Sequence, residues 1–442
     1  MLEAENLIFE SYNRVAPTLH GYDSVTRNLS GIQQLFTEAG LPFDLVPTIT
    51  VTGSKGKGST SIFSAALLQG MGHTVGLMTS PSFLNVRERI RVNGQAIFEA
   101  AFVEIMHDLA PIIRRIEGAL PPDQYLSPTG LFLACAIRYF MQCGVTAMVL
   151  EVGRGGRFDD VRLIENQVSC FTPIMAEHLD KLGPTVADIV WHKTGIIKAN
   201  SIAISAPQPP EVSQQIEQAC QELGTTFQQV GRDISFEQRS EINSQVVVIE
   251  GNTFKINTPA VYQATNLATA YAAVQALAVG DMHQPKVAQT IRAVHLPGRC
   301  DRVSDVPLVL IDGAINRESA EQFRDSVLPF SRIPIILVTA LPHDKDHVGL
   351  LATLMPYVAH TIVTQVSAQH LHFTDGALQT ARQFSAEVTH QPAVFEAFAQ
   401  AIGLAGQNGT IWVVGTQSLV RDALQFWQQD LEKLIPSNPP SN

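Results

Sequence analysis

The residues best suited to chemistry sit at 53–60, where the chain reads GSKGKGST. Glycines at Gly53, Gly56 and Gly58 let a backbone curl with its N–H groups turned inward. A helix beginning just after them adds partial positive charge at its N-terminus. Lys57 adds a full charge and Lys55 a second. Ser59 or Thr60 can offer a hydroxyl to Mg2+, and Ser54 completes the turn. Together these groups suit the phosphate chain of a nucleotide triphosphate. The strict phosphate-loop spacing is Gly, four residues, then Gly-Lys-Ser/Thr. The segment from Gly53 to Ser59 is shorter, so an ordinary glycine-rich turn before a capped helix is the competing reading. The apolar run on one side and the helical pattern on the other favour phosphate.

A second constellation is VLEVGRGGRFDD at 149–160. An apolar run ends in Glu151 and a glycine-rich turn follows. A carboxylate at the carboxyl end of a parallel strand lies where such sheets bind ligands. It can help hold the Mg2+ that a nucleotide brings. The stretch 173–198, PIMAEHLDKLGPTVADIVWHKTGIIK, then supplies His178, Asp180 and Lys193. Taken singly, His178 reads as a loop histidine and Lys193 as a solvated helix face.

Strands and helices must place these groups. Apolar runs at 48–52, 74–78, 147–152, 167–173, 201–205, 308–312, 333–338, 361–366 and 410–414 read as strands. Several are apolar on every side, as strands covered on both faces should be. Helical patterns fall between them, at 59–69, 131–143, 210–223 and 266–277. This is an α/β chain with parallel sheets. Residues 232–258 alternate instead and contain Gly251-Asn252, which predicts a small antiparallel insert. HLPGRCDRV at 295–303 marks a boundary. It divides the chain into an N-terminal part, 1–297, a C-terminal part, 298–435, and a frayed tail, 436–442.

Composition narrows the function. A chain of 442 residues exceeds what one core usually serves. Its net charge of −11 argues against general binding to nucleic acid or anionic membranes. The start, MLEAENLIFE, lacks the pattern of a signal peptide. The apolar stretch 130–150 is interrupted by Arg138 and Gln142, and reads as a buried helix and strand rather than a membrane span. Five scattered cysteines are expected to be buried thiols in a reducing cytoplasm.

The order of the motifs resembles the folylpolyglutamate synthase/dihydrofolate synthase family, within the Mur-type ATP-dependent amide ligases. The series is GKGS, then EVGRGG, then Glu-His-Leu-Asp at 177–180, then Lys-Thr-Gly-Ile-Ile-Lys at 193–198. Downstream, YQATNLATA at 262–270 is similar to the family's Gln-x-x-Asn-Ala helix start. LPGR at 296–299, LIDGAINRESA at 310–320 and DKD at 344–346 continue the match, and TSPSFLNVRERIRVNG at 79–94 precedes it. No single match is specific, but their order is.

The resemblance implies a phosphate-loop domain of the Mur central type and a smaller Rossmann-like C-terminal domain, with the active site between them. It implies transfer of the ATP γ-phosphoryl group to a carboxylate, giving an acyl phosphate that the amine of L-glutamate attacks. It further implies that Ser59, Glu151 and His178 hold Mg2+, and that Lys193 becomes carbamylated. Lys57, Lys193 and His178 would carry the catalytic roles. Gln263 and Asn266 would lie at the nucleotide, Arg299 at phosphates across the junction, and Asp312 on the C-terminal side. A cytoplasmic monomer with small-molecule substrates, without nucleic acid or membrane, is expected.

Departures from the family pattern cluster on loops. Ser54-Lys55 stand for Thr-Asn, Ser82 for a His, and Ile315 for the loop His. Asp160-Val161-Arg162 stand for Ala-Thr-Asn, Glu177 for an Asp, and Arg317 for a Pro. Folate is the acceptor the resemblance implies. A ligase for another carboxylate, a non-catalytic nucleotide binder and an uncoupled NTPase are the alternatives.

Overall fold

The computed structural model describes residues 1–436 except 284, 344, 369, 370, 372, 374 and 386. Asp344 of the DKD segment and the tail beyond 436 therefore lie outside the described residues.

Eight strands form the first sheet: β1 (Thr48–Thr52), β2 (Val75–Met78), β3 (Ile90–Val92), β4 (Gln95–Ala96), β5 (Ala147–Glu151), β6 (Val168–Phe171), β7 (Ile202–Ser205) and β8 (Thr226–Gln229). Their spatial order is β4-β3-β2-β5-β1-β6-β7-β8. The six strands from β2 to β8 in that order run parallel, and β3 and β4 add an antiparallel edge. Every residue of β1 and β5 is buried. Two cores on this sheet explain that burial. One packs the helix Pro128–Gln142 against it, and the other packs Lys57–Gly70 and Gln263–Leu277. A strand enclosed by helices on both faces has no polar side to show, hence the unbroken apolar runs.

The alternating segment forms a separate antiparallel sheet of β9 (Phe236–Glu241), β10 (Ser244–Ile249) and β11 (Asn252–Ile256). The β10–β11 turn is Glu250-Gly251, one residue earlier than expected, with φ of 47° and 80°. Two positive φ values in a two-residue hairpin match the strand twist. Asn252 is left free to begin the next strand.

A third sheet contains β12 (Asp301–Asp305), β13 (Leu308–Asp312), β14 (Ile335–Ala340), β15 (His360–Val363), β16 (Val388–His390) and β17 (Thr410–Gly415), ordered β12-β13-β17-β14-β15-β16. All pairs are parallel except β12 with β13. The chain then returns to the first sheet. The Ala96 N–H donates to the Glu432 carbonyl at 2.8 Å, and the Leu434 N–H to that of Gly94 at 3.0 Å. Leu434 and Ile435 join the first sheet's core. Four of the five cysteines are buried and all five are unpaired. Among the described residues, no helix is long and apolar enough to cross a membrane.

Candidate active site

The glycine loop follows β1 and leads into the helix Lys57–Gly70. Gly53 has φ 145° and Gly56, at the helix N-cap, φ 85°. A side chain at Gly53 would strike Thr172, and one at Gly56 would strike Asn266. Both positions therefore require glycine for space as well as conformation. The loop is pinned from behind. The Ser54 N–H donates to the Pro173 carbonyl at 2.8 Å, and the Met175 N–H donates to Ser54 Oγ at 3.1 Å. The Gly53 carbonyl accepts from Lys57 Nζ at 2.8 Å and from Lys193 Nζ at 2.7 Å.

Lys193 comes from the helix Val186–Thr194 and is 1% exposed. Its ammonium also pairs with Glu177 at 2.9 Å. Burial lowers the Lys193 pKa to about 8, against the pull of Glu177. Burial also opposes the charge on Glu177, but Lys193 and Lys57 outweigh it and bring that carboxyl to about 2. His178 follows with φ 50°, left-handed backbone that a non-glycine residue rarely adopts. Loss of solvent holds its imidazole below the ordinary histidine range.

Glu151 ends β5, next to the loop, and is 3% exposed. Its carboxylate accepts the Ser80 N–H at 3.0 Å, and among the described residues it has no ion-pair partner. Burial raises its pKa to about 7, although Lys57 opposes this. A Cβ at Gly58 would stand 3.6 Å from this carboxylate, in ordinary contact. Ser59 Oγ accepts from Gln263 Nε2 at 3.1 Å, and Gln263 accepts from Asn266 at 2.9 Å. The helix Gln263–Leu277 thus braces the loop.

The opposite wall belongs to the third sheet. Asp312 ends β13 and is buried. One of its oxygens accepts from the Tyr262 hydroxyl at 3.0 Å and from the Cys300 N–H at 2.8 Å. Burial raises its pKa and Arg299 opposes the rise. With the Gln417 amide oriented to suit both partners, its oxygen accepts from two Arg299 nitrogens at 2.9 and 3.1 Å.

A cavity of about 510 Å³ lies between the walls. Of the residues singled out from sequence, Ser54, Lys55, Gly56, Lys57, Gly58, Ser59, Glu151, His178, Asn266, Arg299 and Asp312 line it. Gly53, Lys193 and Gln263 stand behind, holding residues that do. Thr60 is fully buried in the helix, its hydroxyl without a partner. Sequence reasoning missed Tyr262, Glu177, Asn316 and Gln417 as site residues, although all four line the cavity. Asn316 was within reach, since it ends the DGAIN motif. Gln417 has no local signal.

Three cations, Lys55, Lys57 and Arg299, face this space. A polyanion fits such a lining. Among the described residues, no group of three or more His, Cys, Asp or Glu side chains is placed to hold a metal ion. Mg2+ commonly takes one or two carboxylates and completes its shell with phosphate and water. Glu151, buried and unpaired beside the loop, fits that smaller demand.

No protein-family model matches the chain. The dihydrofolate synthase/folylpolyglutamate synthase of Escherichia coli K12 is 31% identical over 311 residues, 70% of this chain and 70% of that protein. The chain belongs to the folylpolyglutamate synthase/dihydrofolate synthase family. The Bacillus subtilis member is 28% identical over 378 residues, covering 80% of this chain and 85% of its own. A probable bifunctional folylpolyglutamate synthase/dihydropteroate synthase of Halobacterium salinarum is 29% identical over 86% of this chain, but over only 47% of that protein. The chain spans about half the length of such bifunctional relatives. Among solved structures, E. coli FolC in complex with DHPP and ADP matches with a TM-score of 0.78 and 26% identity, over 92% of this chain and 94% of that one. Mycobacterium tuberculosis folylpolyglutamate synthase complexed with ADP has the same fold. Its TM-score is 0.85 at 23% identity, over 97% of this chain and 99% of that one.

Proposed function

We propose that the protein is an ATP-dependent carboxylate–amine ligase that adds L-glutamate to a folate or to dihydropteroate. One observation carries this reading: a single cavity brings the glycine loop, Lys57 and Glu151 against Arg299 and Asp312 of the other sheet. Family membership supports it. Relatives carry both synthase names, and family structures hold ADP, AMPPCP and DHPP.

Loop N–H groups and Lys57 take the β- and γ-phosphates, and Arg299 meets the phosphates from across the cleft. Asn266 and Asp312 border the rest of the nucleotide. The acceptor carboxylate attacks the γ-phosphorus, and ADP leaves. The amine of L-glutamate then attacks the acyl phosphate, an amide forms and phosphate departs. Two anions must meet in the first step, so fixed cations and oriented dipoles are what the chain has to supply. Ser59, Glu151 and His178 would hold Mg2+, which spreads phosphate charge when bound. Enclosure between two walls keeps water from the acyl phosphate.

Lys193 ties Gly53 to Glu177 and so shapes the loop. A pKa near 8 leaves a neutral fraction of its amine at neutral pH, the form that reacts with CO2. Carbamylation of Lys193 is therefore part of this reading, and intact mass in bicarbonate reads it directly. A ligase for a non-folate carboxylate is the second reading. Ile315, on the cavity wall in place of the family's polar histidine, favours it.

The test is ADP release with Mg-ATP and L-glutamate, plus tetrahydrofolate, dihydropteroate or neither. Pterin-dependent release is expected. Release without a pterin would indicate an uncoupled NTPase. Silence in all three would overturn the folate reading and call for a screen of other carboxylates.

A further inference from the structure

The segment 87–91 carries three arginines, and among the described residues two of them have hydrogen-bonding partners. Arg87 pairs with Glu432 and donates to the Ile97 carbonyl at 2.9 Å. Arg91 donates to the carbonyls of Gly94 and Glu432 at 3.2 and 3.0 Å. Both tie the returning C-terminal segment to the first sheet. Arg89 does neither. Among the described residues its guanidinium makes no hydrogen bond and no ion pair, and its Nε, like those of Arg87 and Arg91, is buried without a partner. It stacks on the ring of Phe132, 4.5 Å from the guanidinium carbon. Stacking on an aromatic face leaves the in-plane N–H donors unused. Arg89 is half-buried, and a partly desolvated guanidinium without protein acceptors favours an anion.

The sheet shows where that anion lies. Arg89 immediately precedes β3, which runs antiparallel to β2 with Ile90 opposite Met78. The Thr79 N–H donates to the Arg89 carbonyl at 2.9 Å. Next along is Ser80, whose N–H holds Glu151. Arg89 and Glu151 are close enough for each to stabilise the other's charge. Across the carboxyl edge the order is therefore the glycine loop after β1, Glu151 at the end of β5, then Arg89 beside the end of β2. A phosphate chain on the loop would have Glu151 as the next group along this edge and Arg89 as the one after it.

We propose that Arg89 binds the acceptor carboxylate that receives the phosphoryl group. One carboxylate oxygen forms the new bond to phosphorus. The bond to the bridging oxygen breaks, and its electron pair leaves with ADP. No proton is needed. Arg89 holds the second carboxylate oxygen and offsets the repulsion between the two anions. This rests on the ligase reading above.

Arg89→Gln and Arg89→Lys test it, through steady-state kinetics and equilibrium binding of tetrahydrofolate and dihydropteroate in the presence of Mg-AMPPCP. For Arg89→Gln, acceptor affinity should fall about tenfold to a hundredfold, the usual worth of a charged hydrogen-bond pair. KM for ATP and the melting temperature should stay near wild type. Arg89→Lys should recover part of the loss. Three results would overturn the proposal: KM for L-glutamate moving in place of the acceptor's, a lowered melting temperature alone, or no change. Wild type binding neither pterin would defeat the folate reading instead. The same variants would then be compared on whichever carboxylate the screen returns, and if it returns none the Arg89 proposal falls with it.

Discussion

The two walls of the cavity are built by different means. The wall on the first sheet is mostly one continuous stretch, β1, the glycine loop and the helix Lys57–Gly70, with Glu151 from the neighbouring strand. Its shape follows from Gly53 and Gly56, and Lys55 and Lys57 of the same stretch add its charge. The wall on the third sheet offers side chains. Each is held by a partner distant in sequence: Asp312 by Tyr262 and Arg299 by Gln417. A backbone cradle is encoded locally. A side-chain cradle exists only once the fold has closed. Tyr262 joins the two, because it precedes the helix that braces the loop and donates to the far wall.

The largest effect should come from the local wall. Lys57→Ala removes a charge from the cavity and a donor from the Gly53 carbonyl together, and turnover should fall by about a hundredfold or more. Near-normal ADP release would mean that the loop is a turn and no more, and the contrast between the walls would collapse.

Tyr262→Phe probes the join. It keeps the ring and loses one donor to Asp312. KM for ATP should rise about tenfold, the scale of one hydrogen bond to a charged group, with little change in melting temperature. An unchanged KM would show that Asp312 is held well enough by Cys300 alone.

The smallest effect concerns the turn after β5, where the first wall departs from local encoding. Arg154 in this turn pairs with Asp23, Arg27 reaches in to Asp159, and Asp159 and Asp160 lie buried within it. Burial first, and Asp159 second, raise the Asp160 pKa to about 7. Between the ordinary carboxylate range and that value, the folded state keeps a proton that the unfolded state releases. Stability from this group therefore falls as pH rises through that window. For Asp160→Asn, the melting temperature relative to wild type should shift in the variant's favour between about pH 4 and pH 7. A difference independent of pH would show Asp160 charged throughout and the turn held by its ion pairs.

Much of the first wall was legible before folding. The 48–52 and 147–152 runs, the glycines and Glu151 signal through neighbours in the chain. The three-stranded insert did so through simple alternation. Its turn shifted by one residue because hairpin twist favours positive φ at both turn positions. Thr60 looked equivalent to Ser59, but the helix turns it inward. A step of about 100° along a helix separates adjacent side chains, and no motif shows which one faces the ligand.

By itself, the sequence determined the kinds of element, their order and the place of the glycine loop, since propensity and backbone conformation act over a few residues. The tertiary structure alone decided that Gln417 holds Arg299, that Tyr262 holds Asp312, that residues 432–434 return to the first sheet, and that Arg89 stacks on Phe132. Those contacts join positions far apart in the chain. They form only when burial brings two sheets together, so no local stretch can encode them.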